Sequence, residues 1–469
     1  MLDYAMKLCL DRARDTLVGK VPDPWRQMTH ITAALLMKWL ADGRHHAHSA
    51  YYWHTVHSAS TAAEIHARYA HALQELATDE RIPEVIQDWF HGASPPTADA
   101  ETTDLFLGAI DQFPCTHTEQ LGDAFEHLLA WVGGQGKAGQ FRTPPHIIDW
   151  LVEIVDPQMG ESVLDPACGT GGFLTAALAH MKDGGTVRGD PVGDVRGYDI
   201  APDMVRLARV NLYLHGEAEP RIAEYDTLTR TDRWDERADV ILANPPFMSP
   251  KGGIRPHDHF RATSKRSEVL FVEYIARHLT ETGRAAVIVP EGVLFTRQKG
   301  HIALRKSLVN GPLLAVISLP GGVFQPYSGV KTSVLLLNMG LSHHTDQIGF
   351  FQVEQDGFDL GARRHPVTAN DLPAVRDEIA AWTQSIHGGP RVSLQHGQEV
   401  SRGQIAQSDG YNLSSTRYQE TRWRPQDAQP EKASAVADHL ELIELLAQAT
   451  RSNLALIDIL RDKIRVLEP

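Results

Sequence analysis

Residues Ser162–Phe173 read SVLDPACGTGGF. A short apolar run ends on Asp165 and Pro166, passes through Ala167, Cys168, Gly169, Thr170, Gly171 and Gly172, and gives way to the helix-like FLTAALAHM. Proline stops strand pairing, and clustered glycines let the backbone turn tightly and approach a ligand closely. Strand, glycine loop and helix in that order place a ligand crevice at the carboxyl edge of a parallel sheet. The spacing is not G-x-G-x-x-G, so a dinucleotide pyrophosphate fits poorly. An acid at the mouth of the loop suits a cationic or hydroxyl-bearing ligand instead.

Working outward, β-rich runs alternate with helical ones: VRGYDI (195–200), RIAEYD (221–226), ADVILAN (238–244), RAAVIVP (284–290), LLAVISLP (313–320) and TSVLLLNM (332–339). Between them lie PDMVRLARVNLYLH and VLFVEYIARHL. The alternation predicts an α/β fold with a Rossmann-like parallel sheet covered on both faces. Asp199 and Asp226 close the two strands after the glycine loop. An acid after the second strand stands where ribose hydroxyls are met in such folds. S-adenosylmethionine fits three carboxylates, because its ammonium, ribose hydroxyls and adenine amine are all groups that donate hydrogen bonds.

The run ILANPPFM (241–248) stops a buried strand at two consecutive prolines. At that corner stand one amide, Asn244, the rigid pair Pro245 and Pro246, and one ring, Phe247. An exocyclic amine conjugated to an aromatic ring, such as N6 of adenine, is a poor nucleophile because its lone pair is delocalised. The Asn244 amide oxygen and the Pro245 carbonyl could each accept one amine hydrogen, favouring a tetrahedral nitrogen and aiming its lone pair. Phe247 would stack on the ring once it leaves the duplex. A cytosine-C5 mechanism needs a cysteine nucleophile, and Cys115 lies before the glycine loop in a helical stretch, where it reads as incidental. Gly329-Val330-Lys331-Thr332 superficially suggests a P-loop, but no glycine-rich loop between strand and helix surrounds it.

Composition is that of an ordinary globular protein: 469 residues, 42% hydrophobic and 22% charged. No apolar run approaches a membrane span, the N-terminus lacks the apolar core of a secretion signal, and three cysteines at unrelated spacings form no disulfide framework or zinc site. These features predict a cytoplasmic chain without membrane contact. The net charge of −14 means that any contact with nucleic acid relies on local positive charge or on a partner. Lys251–Arg266 is such a basic stretch, and it directly follows the NPPF turn. In the first 135 residues Met28, Ile31, Leu35 and Trp39 recur at helical spacing, and AAEIHARYAHALQELA is similar. GASPPTADAETTD (92–104) reads as a surface loop. His45, His46, His48, His54 and His57 crowd together, with no cysteine or carboxylate completing a ligand pattern, so no metal site is expected.

From about 120 to 340 the chain resembles the amino-group DNA methyltransferases, and in particular the modification subunits of Type I restriction–modification systems. The likeness rests on Gly139-Gln140-Phe141-Arg142-Thr143-Pro144-Pro145, on DPACGTGGF, on NPPF, and on GRAAVIVPEGVLF and VISLPGGVFQPYSGVKTSVLL. Arg142 stands where that family usually has an aromatic residue, Pro145 where it has a basic one, and Asp199 where Glu is more frequent. The resemblance implies a methyltransferase that moves a methyl group from S-adenosylmethionine to N6 of adenine in double-stranded DNA. It implies cofactor binding by Gln140, Phe141, Arg142, Thr143, Pro144 and Pro145, by Thr170, Gly171 and Gly172, and by Asp199, to which the reading of the loop and strand ends adds Asp165, Ala167, Gly169 and Asp226. It implies a separate specificity subunit that reads the bases, with a restriction subunit and a second copy of the chain as further candidate partners. The expected organisation is a helical N-terminal domain (1–135), a methyltransferase domain (136–345), an irregular extension (346–430) and a C-terminal helix (431–469) whose apolar stripe suits packing on its own domain or docking on a partner. Two other readings remain at this stage: methylation of a protein glutamine amide, and a cofactor-sensing scaffold without catalysis.

Overall fold

The computed structural model describes residues 2–41, 50–114, 118–133, 143–184, 193–247, 249, 253–325, 328–359, 361 and 364–418. Met1–Arg417 form one compact unit and Tyr418–Pro469 a second. The expected C-terminal helix at 431–469, Cys115 and His45, His46 and His48 lie outside the described residues.

Among the described residues seven helices come first: α1 (Tyr4–Leu17), α2 (Pro24–Ala41), α3 (Ala50–His57), α4 (Ala62–Leu76), α5 (Glu84–Phe90), α6 (Ala100–Asp111) and α7 (Thr118–Gly133). The loop expected over 92–104 ends earlier, because Ala100–Asp104 form the first turn of α6. Phe106, Leu107 and Ile110 extend that helix into the core, and Thr102 Oγ1 donates to the Asp99 carboxylate at its start.

The sheet region runs α8 (Pro145–Val155), β1 (Ser162–Asp165), α9 (Gly172–Asp183), β2 (Asp194–Asp199), α10 (Pro202–Leu214), β3 (Arg221–Glu224), β4 (Ala238–Ala243), α11 (Ser267–His278), β5 (Leu279–Pro290), α12 (Gly292–Phe295), α13 (Lys299–Val309), β6 (Leu313–Ser318) and β7 (Thr332–Asn338). It continues with β8 (Gln347–Gln352), β9 (Asp356–Phe358), β10 (Pro366–Asn370), α14 (Leu372–Ile386), β11 (Gly397–Ser401) and α15 (Arg402–Gln407). The main sheet has the order β11-β8-β6-β7-β5-β4-β1-β2-β3, with β9 and β10 forming a separate hairpin. Strands β4, β6 and β7 are buried along almost their whole length, which is why they read as unbroken apolar runs rather than alternating ones.

The expected parallel sheet holds except at two strands. β7 runs antiparallel to both β5 and β6, and β11 runs antiparallel to β8. The chain between β6 and β7 carries no helix among the described residues, and a parallel return needs a long crossover, usually a helix. Residues 347–407, where the sequence shows no readable pattern, supply β8, β11, the β9–β10 hairpin and α14, which packs on α8.

Two hydrophobic cores meet along α10. Met204, Leu207, Val210 and Leu214 belong to the core of α1–α7, whereas Ala208 and Leu212 belong to the core around the sheet. Burying each such leucine contributes roughly 1.5–3 kcal/mol, so α10 ties the helical region to the sheet through both of its faces.

Candidate functional site

Strand order reverses between β1 and β4: β2 and β3 extend to one side, β5 onward to the other. Ligand crevices of open α/β sheets lie at such a switch point, outside the carboxyl ends of the strands. The register Leu164↔Ile241 brings Asp165 and Asn244 to the same carboxyl edge on adjacent strands.

The glycine loop follows β1. Gly169 and Gly171 have φ of +53° and +82°, a region that side-chain-bearing residues rarely adopt. Around Gly169 an added Cβ would meet nothing within 4 Å, whereas at Gly171 it would fall 2.9 Å from Leu212 Cδ1. Gly169 thus serves the turn and leaves open space, and Gly171 serves close packing against α10. The Gly171 N–H donates to the Cys168 carbonyl at 2.8 Å, and α9 begins at Gly172 with no side-chain cap.

Asp165 is buried, with 2% exposure, and accepts from the Ala167 N–H at 3.0 Å. Burial, helped by the nearby Asp199 charge, pushes its carboxyl up to about 8. Asp199 accepts from the Gly169 N–H at 3.0 Å and the Ala201 N–H at 2.8 Å, and burial raises its carboxyl as well. Asp226 closes a local turn, accepting from the Leu228 N–H at 3.1 Å and the Thr229 hydroxyl. Its neighbour Thr227 reaches the glycine loop, donating to the Pro166 carbonyl at 2.8 Å.

The second half of the site is the NPPF turn after β4. Asn244 Nδ2 donates to Thr143 Oγ1 at 2.9 Å, joining two motifs 101 residues apart. That bond uses the donor end of the amide and leaves Oδ1 as an acceptor. Thr143 is buried, Pro144 caps α8, and Pro145 occupies its first turn, where the missing N–H costs nothing. Gln140, Phe141 and Arg142 lie outside the described residues. Ser267, at the start of α11, donates to the Pro246 carbonyl at 2.7 Å and fixes the far side of the turn. Phe247 is half-buried and meets Phe324 edge-on, with centroids 6.4 Å apart.

Sequence reasoning missed Ser267, Thr227, Asn211 and Ile200. Asn211 is fully buried on α10 and donates to the Thr170 carbonyl at 2.9 Å; an amide on the apolar face of a helix was the available signal. Ile200, directly after Asp199, is 66% exposed, an apolar side chain presented to solvent beside the loop. Lys331, in the stretch that superficially suggests a P-loop, pairs with Glu291 at 2.9 Å. Among the described residues no group of three or more His, Cys, Asp or Glu could hold a metal ion, and no helix is long and apolar enough to cross a membrane.

A mostly parallel sheet with a reversed β7, a glycine loop and buried acid at the switch point, and a proline-rigid amide corner opposite are the features of a methyltransferase domain. The chain belongs to the N-6 DNA methylase family, whose sequence profile matches residues 116–427. It is similar to the Type I restriction enzyme EcoEI methylase subunit of Escherichia coli, at 34% identity over 59% of this chain and 57% of that one. It is also similar to the Type I restriction enzyme StySJI methylase subunit of Salmonella typhimurium, at 28% identity over 76% of this chain and 72% of that one. The chain therefore spans little more than half the length of the first relative. A chain solved in work on assembly and conformational transition of the type I R-M system shares the fold across 99% of both chains, at 24% identity and a TM-score of 0.70. The resemblance to Type I modification subunits read from the motifs is borne out by these relatives.

Proposed function

We propose that this chain is a modification subunit that methylates N6 of adenine in DNA, using S-adenosylmethionine in the cytoplasm together with a separate specificity subunit. One observation carries the reading: the Thr143–Asn244 hydrogen bond holds the amide corner at the sheet edge where the acidic glycine loop opens.

The residues of the loop fit that cofactor. Asp165 and Asp199 are adjacent carboxyls raised by burial, so a cation or hydroxyl donors would relieve both. The uncapped start of α9 suits a carboxylate, and exposed Ile200 offers an apolar cover for a flat ring. When bound, S-adenosylmethionine supplies an electrophilic methyl group on a sulfonium. Asn244 Oδ1 and the Pro245 carbonyl accept the two amine hydrogens and orient the nitrogen. Ser267 holds the turn against recoil, and Phe247 offers a face for the extruded base. The specificity subunit accords with the acidic balance of −14; a restriction subunit and a second copy complete the proposed assembly.

Labelled-methyl transfer to duplex DNA, with and without a co-expressed specificity subunit, tests the reading. Asn244→Ala is expected to abolish transfer while cofactor binding, read by calorimetry, persists. Retained transfer by that variant would refute the role of the amide, and label on protein rather than DNA would refute the substrate.

A further inference from the structure

The cofactor loop is held from behind by the helical region. Asn211 on α10 has no exposed surface, and its Nδ2 donates both to the Thr170 carbonyl, at 2.9 Å, and to Glu126 Oε1 of α7, at 3.0 Å. Its Oδ1 is buried without a hydrogen-bond partner among the described residues, so burying this amide is costly unless its donor end is used. The same helix abuts the loop one residue further on, where Leu212 and Ala208 leave no room for a Cβ at Gly171. α7 is fastened to α10 again below, where the His215 ring lies against Gly122 and its Nδ1 pairs with the Asn211 carbonyl at 2.8 Å. One buried amide therefore spans α7, α10 and the loop that opens α9.

Resting on the proposed cofactor reading, we infer that Asn211 and Glu126 are positioning residues for S-adenosylmethionine: they fix the Thr170–Gly171 peptide, and so make cofactor affinity depend on where α7 sits. Neither residue is placed at the reacting atoms. Their loss should weaken cofactor binding without slowing methyl transfer once the site is filled.

The test measures binding of sinefungin, an unreactive analogue of the cofactor, to the full chain by calorimetry. It adds melting temperature without ligand and, in the complex with the specificity subunit, KM for the cofactor against kcat. Asn211→Ala and Glu126→Ala are each expected to weaken binding about tenfold, to raise KM by a similar factor and to leave kcat within twofold. Glu126→Gln, which keeps an acceptor oxygen, should bind like the parent. If Asn211→Ala fails to fold, Glu126→Ala decides, since Glu126 is only half-buried. Binding by the alanine variants within twofold of the parent would overturn the inference, as would Glu126→Gln behaving like Glu126→Ala. A parent chain that binds no analogue would overturn the cofactor reading, and this inference with it.

Discussion

Asp165 shows how burial at the site couples to pH. Its carboxyl sits at about 8 against an ordinary 3.8. Between those values the folded chain holds a proton that the unfolded chain has released. Its stabilising contribution is therefore complete below the unfolded value and is lost as pH rises through the folded one. Asp165→Asn, which cannot ionise, is expected to flatten the fall in melting temperature between about pH 4 and 8; parallel profiles for parent and variant would contradict this. Ser267→Ala should remove the clamp on the Pro246 carbonyl, worth roughly 1 kcal/mol, and lower kcat several-fold with little change in melting temperature. An unchanged kcat would show that the turn is rigid without Ser267. Residues of this kind mark the limit of what sequence makes legible at the site. Asp165, Asn244 and Gly171 stand in unusual local strings whose types only a ligand or a strained turn requires. Ser267, Asn211 and Thr227 are ordinary residues on ordinary elements, and they matter only because folding brings them to the carbonyls of Pro246, Thr170 and Pro166.

At the scale of elements, strands read well where both faces are covered: β1 matches SVLD, and β6 and β7 match LLAVIS and TSVLLLN. Apolar runs of that length carry their own signal. Strand direction does not, because it depends on the connection, and the reversal of β7 is invisible in TSVLLLN. The β9–β10 hairpin was illegible for another reason. β10 is exposed throughout, and the hairpin is held at the buried carboxylate of Asp356 rather than by an apolar face of β10. Asp356, 1% exposed, joins Arg364 and His146, and the Arg364 guanidinium also donates to the Gly322 carbonyl at 2.7 Å. Asp356→Ala would leave a largely buried guanidinium without its counter-ion, and urea unfolding should register a loss of about 3–5 kcal/mol. A loss under 1 kcal/mol would mean that water replaces the carboxylate there. Gly171→Ala should cost about 1–3 kcal/mol, combining left-handed strain with the Leu212 clash.

For the whole molecule, the decisive quantity is the distribution of charge. The chain carries −14 in all, yet Arg255, Arg261 and Lys265 are exposed on the segment following the NPPF turn. That segment is anchored from within: Glu273 accepts from the Arg261 and Ala262 N–H groups at 2.6 and 2.8 Å, and the His257 and Phe260 rings pack on Trp234. Replacing all three basic residues with alanine, in the proposed complex with a specificity subunit, should reduce the slope of log affinity for DNA against log salt by about 2–3, with sinefungin binding unchanged. An unaltered slope would remove this face from the contact.

The reversed strand also has a consequence for how the protein is made. β6 leaves the ribosome before β7, yet among the described strands β7 alone links it to β5 and hence to the strands already formed. A nascent chain stopped near residue 320 would carry a strand that is buried throughout in the finished fold, with no neighbouring strand to receive it. The joining of β6 to the earlier strands must therefore wait for residue 338, and this interval is where a holding chaperone would have most to protect.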